Sequence, residues 1–240
     1  MQKNKNFFVK IILTKKGFAC KICPVKYVFF DLDGTLCDSS AGIFACFRYS
    51  FEKMGLTPPT ERELRACVGP PLLDSYLKFF GGDRERALLG VRLYRERYSV
   101  LGWKECRLYE GVEECLSAIT AAGMKVGLAT SKPQEFAERI LNYFNLEKYF
   151  SVTVGSKLDN SFDGKAEILA LGMKKLGATA EECCMVGDRK QDMDGAIKNA
   201  VFPIGIRVGF AEEGELEKAG AKLIAEDFKT LQNFLLKRED

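Results

Sequence analysis

Tyr27-Val28-Phe29-Phe30-Asp31-Leu32-Asp33-Gly34-Thr35-Leu36 is the stretch that decides the fold. Its apolar half, Tyr27 to Phe30, reads as a buried strand. The run stops abruptly at two carboxylates spaced i, i+2, and Gly34 then lets the backbone turn tightly. A strand ending this way puts Asp31, a candidate nucleophile, and Asp33, a second acid, at the carboxyl end of a parallel strand. Open α/β sheets bind their ligands at that edge.

Working outward, the chain alternates strand and helix from Val25 onward. Strand-like runs follow at Lys125–Ala129, Val152–Val154, Cys183–Val186 and Phe202–Val208. Helical stretches are expected over 112–122, 133–143, 165–176, 191–199 and 228–237. Such alternation implies an α/β protein with a mostly parallel, doubly wound sheet. Ser39 to about Leu108 interrupts the pattern and looks mainly helical, with no strong strand signal. Within it, 41–54 and 84–98 carry helical periodicity with arginines on the polar face, and Gly69-Pro70-Pro71 breaks the middle. A helical block inserted after the first strand implies a cap over the sheet's carboxyl edge. The expected division is a basic extension over 1–25, a core from 26–39 and 109–240, and a cap over 40–108. A chain of 240 residues is long enough for one such core plus a small insert.

Composition narrows the chemistry. There are no histidines, which excludes Ser-His-Asp hydrolysis and His-ligated zinc. Nine cysteines without a framework point to a reducing cytoplasm rather than to secretion. The net charge is only +3, and residues 1 to 26 carry seven lysines and no acid, so the remainder is slightly acidic. Neither a nucleic-acid footprint nor a membrane span is expected. The apolar run from Phe7 to Leu13 is broken by Lys10 and followed by no small-residue cleavage site, so it does not read as a signal peptide.

Four separated pieces fit one phosphoryl-transfer site. They are Asp31 with Asp33, then Thr130-Ser131-Lys132 after a strand, then Lys165 at a helix start, then Gly187-Asp188-Arg189-Lys190-Gln191-Asp192 after another strand. Each lies at or just beyond a strand's carboxyl end or at a helix start. Attack of a carboxylate on a phosphate dianion brings negative charges together, so a metal and a lysine must offset them. Mg²⁺ prefers oxygen ligands and keeps several waters, so two carboxylates and a backbone carbonyl suffice. Asp33 would protonate the leaving alkoxide and later deprotonate the water that cleaves the aspartyl phosphate.

In order and approximate spacing, these pieces resemble the four motifs of the haloacid dehalogenase superfamily, covering nearly everything from residue 26 on. The resemblance implies a Rossmann-like core and assigns roles. Asp31 is the nucleophile, and Asp33 is the general acid and base whose carbonyl also reaches Mg²⁺. Thr130 and Lys165 hold the phosphoryl group. Ser131, beside Thr130, and Gly69, in a loop that either reaches toward the site or simply connects two helices, are further candidate substrate contacts. Asp188 ligates Mg²⁺, and Asp192 supports the metal's water shell.

Asp33 sets the chain apart from dehalogenase members, which lack the second acid. The absence of histidine sets it apart from mutases of the β-phosphoglucomutase type. Asp-Gly-Thr-Leu-Cys-Asp-Ser, ending at Ser39, looks like the phosphoglycolate-phosphatase-like group. Val68-Gly69-Pro70-Pro71-Leu72, Ala129-Thr130-Ser131-Lys132-Pro133 and Gly187-Asp188-Arg189 with Asp192 look like its 5'-nucleotidase-like branch. The implied activity is Mg²⁺-dependent hydrolysis of small phosphomonoesters, such as phosphoglycolate or a nucleoside monophosphate, by a monomer or homodimer. The competing reading is a non-catalytic protein, either a scaffold of this fold or a receiver-like phospho-acceptor. A scaffold would predict loss of Asp31 or Asp33, and a receiver domain lacks the insert and the second acid.

Other patterns are weaker. Cys183 to Arg189 has Cys-x5-Arg spacing, but Cys183-Cys184-Met185-Val186 reads as a core strand and not a phosphate-cradling loop. Cys20 and Cys23 form a lone pair without the partners a zinc site needs. Arg62, Arg65, Arg84, Arg86, Arg92, Arg95 and Arg97 could meet a substrate anion, though most read as solvated helix faces.

Overall fold

The computed structural model describes residues 25–159, 161–162 and 164–236. The basic extension, apart from Val25, lies outside these residues, as do Cys20, Cys23 and Asp163.

The first strand, β1 (Tyr27–Phe30), has Val28, Phe29 and Phe30 fully buried, as expected for a strand covered on both faces. It lies in the middle of a six-stranded sheet with β4 (Lys125–Pro133), β5 (Phe150–Ser156), β6 (Cys183–Gly187), β7 (Phe202–Ile206) and β8 (Leu223–Ala225). The order is β5-β4-β1-β6-β7-β8, and every pairing is parallel. The chain therefore builds outward from β1 to one side, through β4 and β5, and then returns to build the other side from β6. That reversal opens a crevice at the carboxyl ends of β1, β4 and β6.

Helices cover both faces. On one, α5 (Val112–Ala121), α6 (Gln134–Tyr143) and α10 (Phe228–Leu236) pack over Val28, Phe30, Val126 and Leu128. On the other, α7 (Lys165–Leu176) and α8 (Lys190–Lys198) pack over Phe29 and Met185. A short helix, α9 (Glu215–Lys218), follows β7.

The inserted block holds α1 (Ser40–Lys53), α2 (Glu61–Arg65), α3 (Leu72–Phe79) and α4 (Arg84–Tyr98). Sequence chemistry sets their ends. Thr60 and Glu63 form a capping box at α2, and the Asp83 carboxylate accepts the Arg86 N–H at α4. Their inner faces share an aromatic cluster. Phe47 stacks on Tyr76 with ring centroids 4.9 Å apart and meets Tyr94 edge-on at 5.2 Å. Phe47→Ala is expected to lower stability by about 3–5 kcal/mol, read from denaturant unfolding, because it empties a filled site at the centre of this cluster.

Three departures from the sequence reading have local causes. Arg107 and Leu108, in the stretch expected to be helical, form β3 and pair antiparallel with β2 (Cys37–Asp38). The two chain crossings into and out of the helical block thus run side by side, and two residues per strand give no periodicity to read. β4 runs on to Pro133 because Pro133 pairs with Ser156, and α6 then begins one residue later than expected. The seventh strand ends at Ile206, since the chain turns at once to bring Gly209 and Phe210 back to Asp188. The three-residue edge strand β8 and the four-residue α9 are too short to have stood out.

Candidate active site

Five segments converge on the crevice. Asp31 and Asp33 leave the end of β1, and Gly34 takes φ 83° to turn the chain beneath them. No side chain fits there, because a Cβ on Gly34 would strike the Asp188 carboxylate. Asp188 itself follows β6, buried, with Oδ1 accepting the Thr35 hydroxyl at 2.9 Å and Oδ2 the Phe210 N–H at 2.8 Å. Asp192 lies in the first turn of α8, where Oδ2 accepts the Arg189 N–H at 3.1 Å. Thr130 stands where β4 loses register with β5 between Ala129 and Pro133, and its hydroxyl accepts the Lys132 N–H at 3.2 Å. The irregularity turns consecutive side chains toward the crevice.

Lys165, at the first position of α7, organises the centre. Its ammonium lies 2.8 Å from Asp31 Oδ1 and 2.9 Å from Asp192 Oδ1, and it donates to the Ala129 carbonyl at 3.2 Å. Burial alone would lower the Lys165 pKa, but the Asp192 and Asp31 charges outweigh it and hold the ammonium above the ordinary lysine value. Burial pushes the Asp192 carboxyl up to about 6, with Lys165 pulling back and Asp31 adding repulsion. Asp188 is driven further, well above the usual carboxylate range, by burial and then by Asp192 and Asp31.

Such crowding is what a bound cation would relieve. Oxygen atoms of Asp31, Asp188 and Asp192 all lie within 4.8 Å of one another, and all three residues are buried. One lysine cannot neutralise three carboxylates. An all-oxygen donor set suits a hard divalent ion, so the residues fit Mg²⁺. The Asp33 side chain is not part of this cluster. It turns to Lys132, whose ammonium is 2.7 Å from Asp33 Oδ2.

Between the crevice and the helical block lies a partly open pocket of about 70 Å³. Asp33, Ser131 and Lys132 face it from the core, and Gly69 to Leu72 with Tyr94, Arg95 and Tyr98 face it from the block. Of the seven arginines considered above, only Arg95 lines it. Arg97 is paired with Glu105, Arg65 lies over the Phe210 ring, and Arg86 over Phe80. Gly69 is more constrained than a simple connector, with φ 101° and a position where an added Cβ would press on the Arg189 side chain. Arg189 in turn donates to the Val68 carbonyl and ion-pairs with Glu215 at 3.0 Å.

The structure therefore brings together Asp31, Lys165, Asp188 and Asp192, places Thr130 next to the Ala129 carbonyl that Lys165 reaches, and places Asp33, Ser131 and Gly69 on the pocket. Sequence reasoning gave no separate role to Thr35, Lys132, Tyr98, Arg189 or Phe210. All act through partners distant in the chain; Lys132 and Asp33 are a pair that no local pattern connects.

The fold and this cluster of carboxylates and lysine define a class. The sequence profile of the haloacid dehalogenase-like hydrolases matches residues 28–206. The chain belongs to that family, and it is an enzyme of the phosphoric monoester hydrolase class. Among proteins it resembles, a 5'-nucleotidase of Pseudomonas aeruginosa is 38% identical over 189 residues, covering 79% of this chain and 86% of the nucleotidase. Tyrosine-protein kinase PtkA of Mycobacterium tuberculosis is 33% identical over 82% of this chain and 67% of the kinase. The crystal structure of a predicted phosphatase from Clostridium acetobutylicum superposes with a TM-score of 0.85 at 36% identity, covering 88% of this chain and 98% of that one.

Proposed function

We propose that this protein is a Mg²⁺-dependent phosphatase that hydrolyses small phosphomonoesters through an aspartyl phosphate on Asp31. The observation carrying this reading is the Lys165 ammonium held between Asp31 and Asp192 inside the three-carboxylate cluster. The Asp31 carboxylate attacks phosphorus, and Lys165 keeps it aimed while offsetting the charge that accumulates. Thr130 offers its hydroxyl proton to a phosphoryl oxygen. Asp33 gives a proton to the departing oxygen, then takes one from the water that cleaves the phosphoenzyme. Asp31, the Asp33 carbonyl and Asp188 would hold Mg²⁺, with Asp192 supporting its waters. The ion when bound offsets the negative charge of phosphate and nucleophile.

The residues 40–108 serve as a cap in this reading. The pocket lies between this block and the core, so closure of the block over a bound ester would exclude water during transfer. Changes at Gly69 to Leu72 should therefore shift preference among leaving groups. Leu72→Ala is expected to cost more kcat/KM on a natural ester than on p-nitrophenyl phosphate, and equal losses would place specificity elsewhere.

A second reading narrows the substrate to nucleoside monophosphates. The aromatic wall of Phe47, Tyr94, Tyr98 and Phe136 favours it, as does the likeness to a 5'-nucleotidase. A phosphoglycolate-type substrate would lean on Arg95 instead. The seven described cysteines, all as free thiols, fit a reducing compartment such as the cytoplasm. Among the described residues no helix is long and apolar enough to cross a membrane.

The test is phosphate release from a panel of phosphomonoesters, with Mg²⁺ and with EDTA. Release from at least one ester with Mg²⁺, abolished by EDTA and restored by Mg²⁺, is the expected result. Activity that survives chelation, or that only zinc restores, would overturn the metal assignment. A phosphoenzyme passing its group to protein tyrosine, with no free phosphate, would favour transfer over hydrolysis.

A further inference from the structure

We propose that Lys132 is a positioning residue for Asp33, and that the Tyr98 hydroxyl, carried on the helical block, completes its seat. The inference rests on the assignment of Asp33 as general acid and base.

The Lys132 side chain is 4% exposed, and its ammonium has one partner in the core and one in the helical block. It lies 2.7 Å from Asp33 Oδ2 in the core and donates to the Tyr98 hydroxyl at 2.5 Å in the helical block. The same ammonium sits over the Tyr98 ring, 4.8 Å from its centroid. Tyr98 is fixed in turn, stacked on Tyr94 at 5.3 Å and edge-on to Phe136 at 4.9 Å. A buried ammonium is costly unless paired, and a residue there only to fill space would be apolar. Here it is paired with Asp33, a site carboxylate that Lys165 does not pair with, whereas Asp31 and Asp192 share Lys165.

The two oxygens of Asp33 are treated differently. Oδ2 is held by Lys132, whereas Oδ1 is buried without a hydrogen-bond partner, and Asp33 borders the pocket. An acid that must meet a leaving oxygen on one side needs its other side anchored, because an unanchored carboxylate turns freely about its last torsion. The two lysines thus divide the two aspartates, Lys165 for the nucleophile and Lys132 for the proton carrier. Since Tyr98 ends α4, the anchor is complete only when the helical block is seated on the core. Proton transfer is thereby tied to closure.

The experiment uses the full chain with Mg²⁺ and two esters, glycerol phosphate with a poor leaving group and p-nitrophenyl phosphate with a good one. Lys132→Met should lower kcat/KM on glycerol phosphate about 10²-fold, the usual worth of a general acid. On p-nitrophenyl phosphate the first step needs no acid. A burst of nitrophenolate near one per site should appear, followed by slow turnover while water attack waits for a base. Lys132→Arg should recover part of the loss. Tyr98→Phe should show the same dependence on leaving group, more weakly. In an Asp33→Asn background, Lys132→Met should add nothing. Equal losses on both esters without a burst, or a full additional loss in that background, would overturn the proposal and make Lys132 a phosphate contact or a structural residue. If Lys132→Met does not fold, by circular dichroism, Lys132→Arg and Tyr98→Phe decide by the same ratio. Wild-type protein inactive on every ester would instead remove the phosphatase reading, and this inference with it.

Discussion

Asp31→Asn should reduce turnover to background, a fall of about 10⁴-fold or more, because the amide has no electron pair able to form an acyl phosphate. The geometry makes the result specific. Asp31 Oδ1 sits 2.8 Å from Lys165, and that ammonium would keep its Asp192 partner and the Ala129 carbonyl after the change. The variant should therefore fold, with an unfolding transition close to that of the wild type. A labelled phosphoenzyme, trapped by acid quench from the wild type, should be missing from the variant. Near wild-type rates would reassign the nucleophile; a trapped phosphoenzyme on the variant would do the same.

Asp33→Asn is expected to act differently, slowing both half-reactions by about 10²–10⁴-fold each while leaving the nucleophile intact. Asp33 borders the pocket and its Oδ1 has no hydrogen-bond partner, so the larger part of the loss is proton transfer. The substitution does break the ion pair with Lys132, leaving that ammonium with Tyr98 alone. Some destabilisation should accompany the kinetic loss, because an ammonium left buried without its counter-charge is costly. The kinetic mark is accumulation. With p-nitrophenyl phosphate, whose leaving group departs unaided, the aspartyl phosphate should build up to a quenchable level. A variant that loses activity without accumulating it would argue that Asp33 acts before phosphoryl transfer, in binding.

The core was legible because its signals are local. Phe29 to Leu36 combine a buried run, paired acids and a turn glycine within eight residues. The helices over 84–98 and 165–176 are long enough for periodicity to fix their ends, and both match the structure. What escaped is either short or non-local. The ribbon Cys37–Asp38 with Arg107–Leu108 consists of two pairs, and Leu223–Ala225 is three residues at an edge. Lys132 could be placed after a strand end, but its partners Asp33 and Tyr98 come from other elements. Likewise the Thr35 hydroxyl looks like ordinary turn chemistry until Asp188 is found to accept it. The high pKa of Asp188 depends on Asp192 and Asp31 meeting it in a dry interior, which sequence spacing alone does not determine.

The aromatic cluster of the inserted helices shares no fully buried side chain with those on the two faces of the sheet. Among the described residues, Phe136 and Phe210 are the buried rings that reach into it from outside the insert. Substitutions in separate packed groups add nearly independently, whereas those within one group do not. The insert can thus accumulate changes that reshape its pocket wall without drawing on the stability of the strands carrying Asp31 and Asp188. Novelty in leaving-group choice and permanence of phosphoryl chemistry are largely under separate mutational control, meeting at Phe136, Phe210, Trp103 and the Lys132–Tyr98 contact.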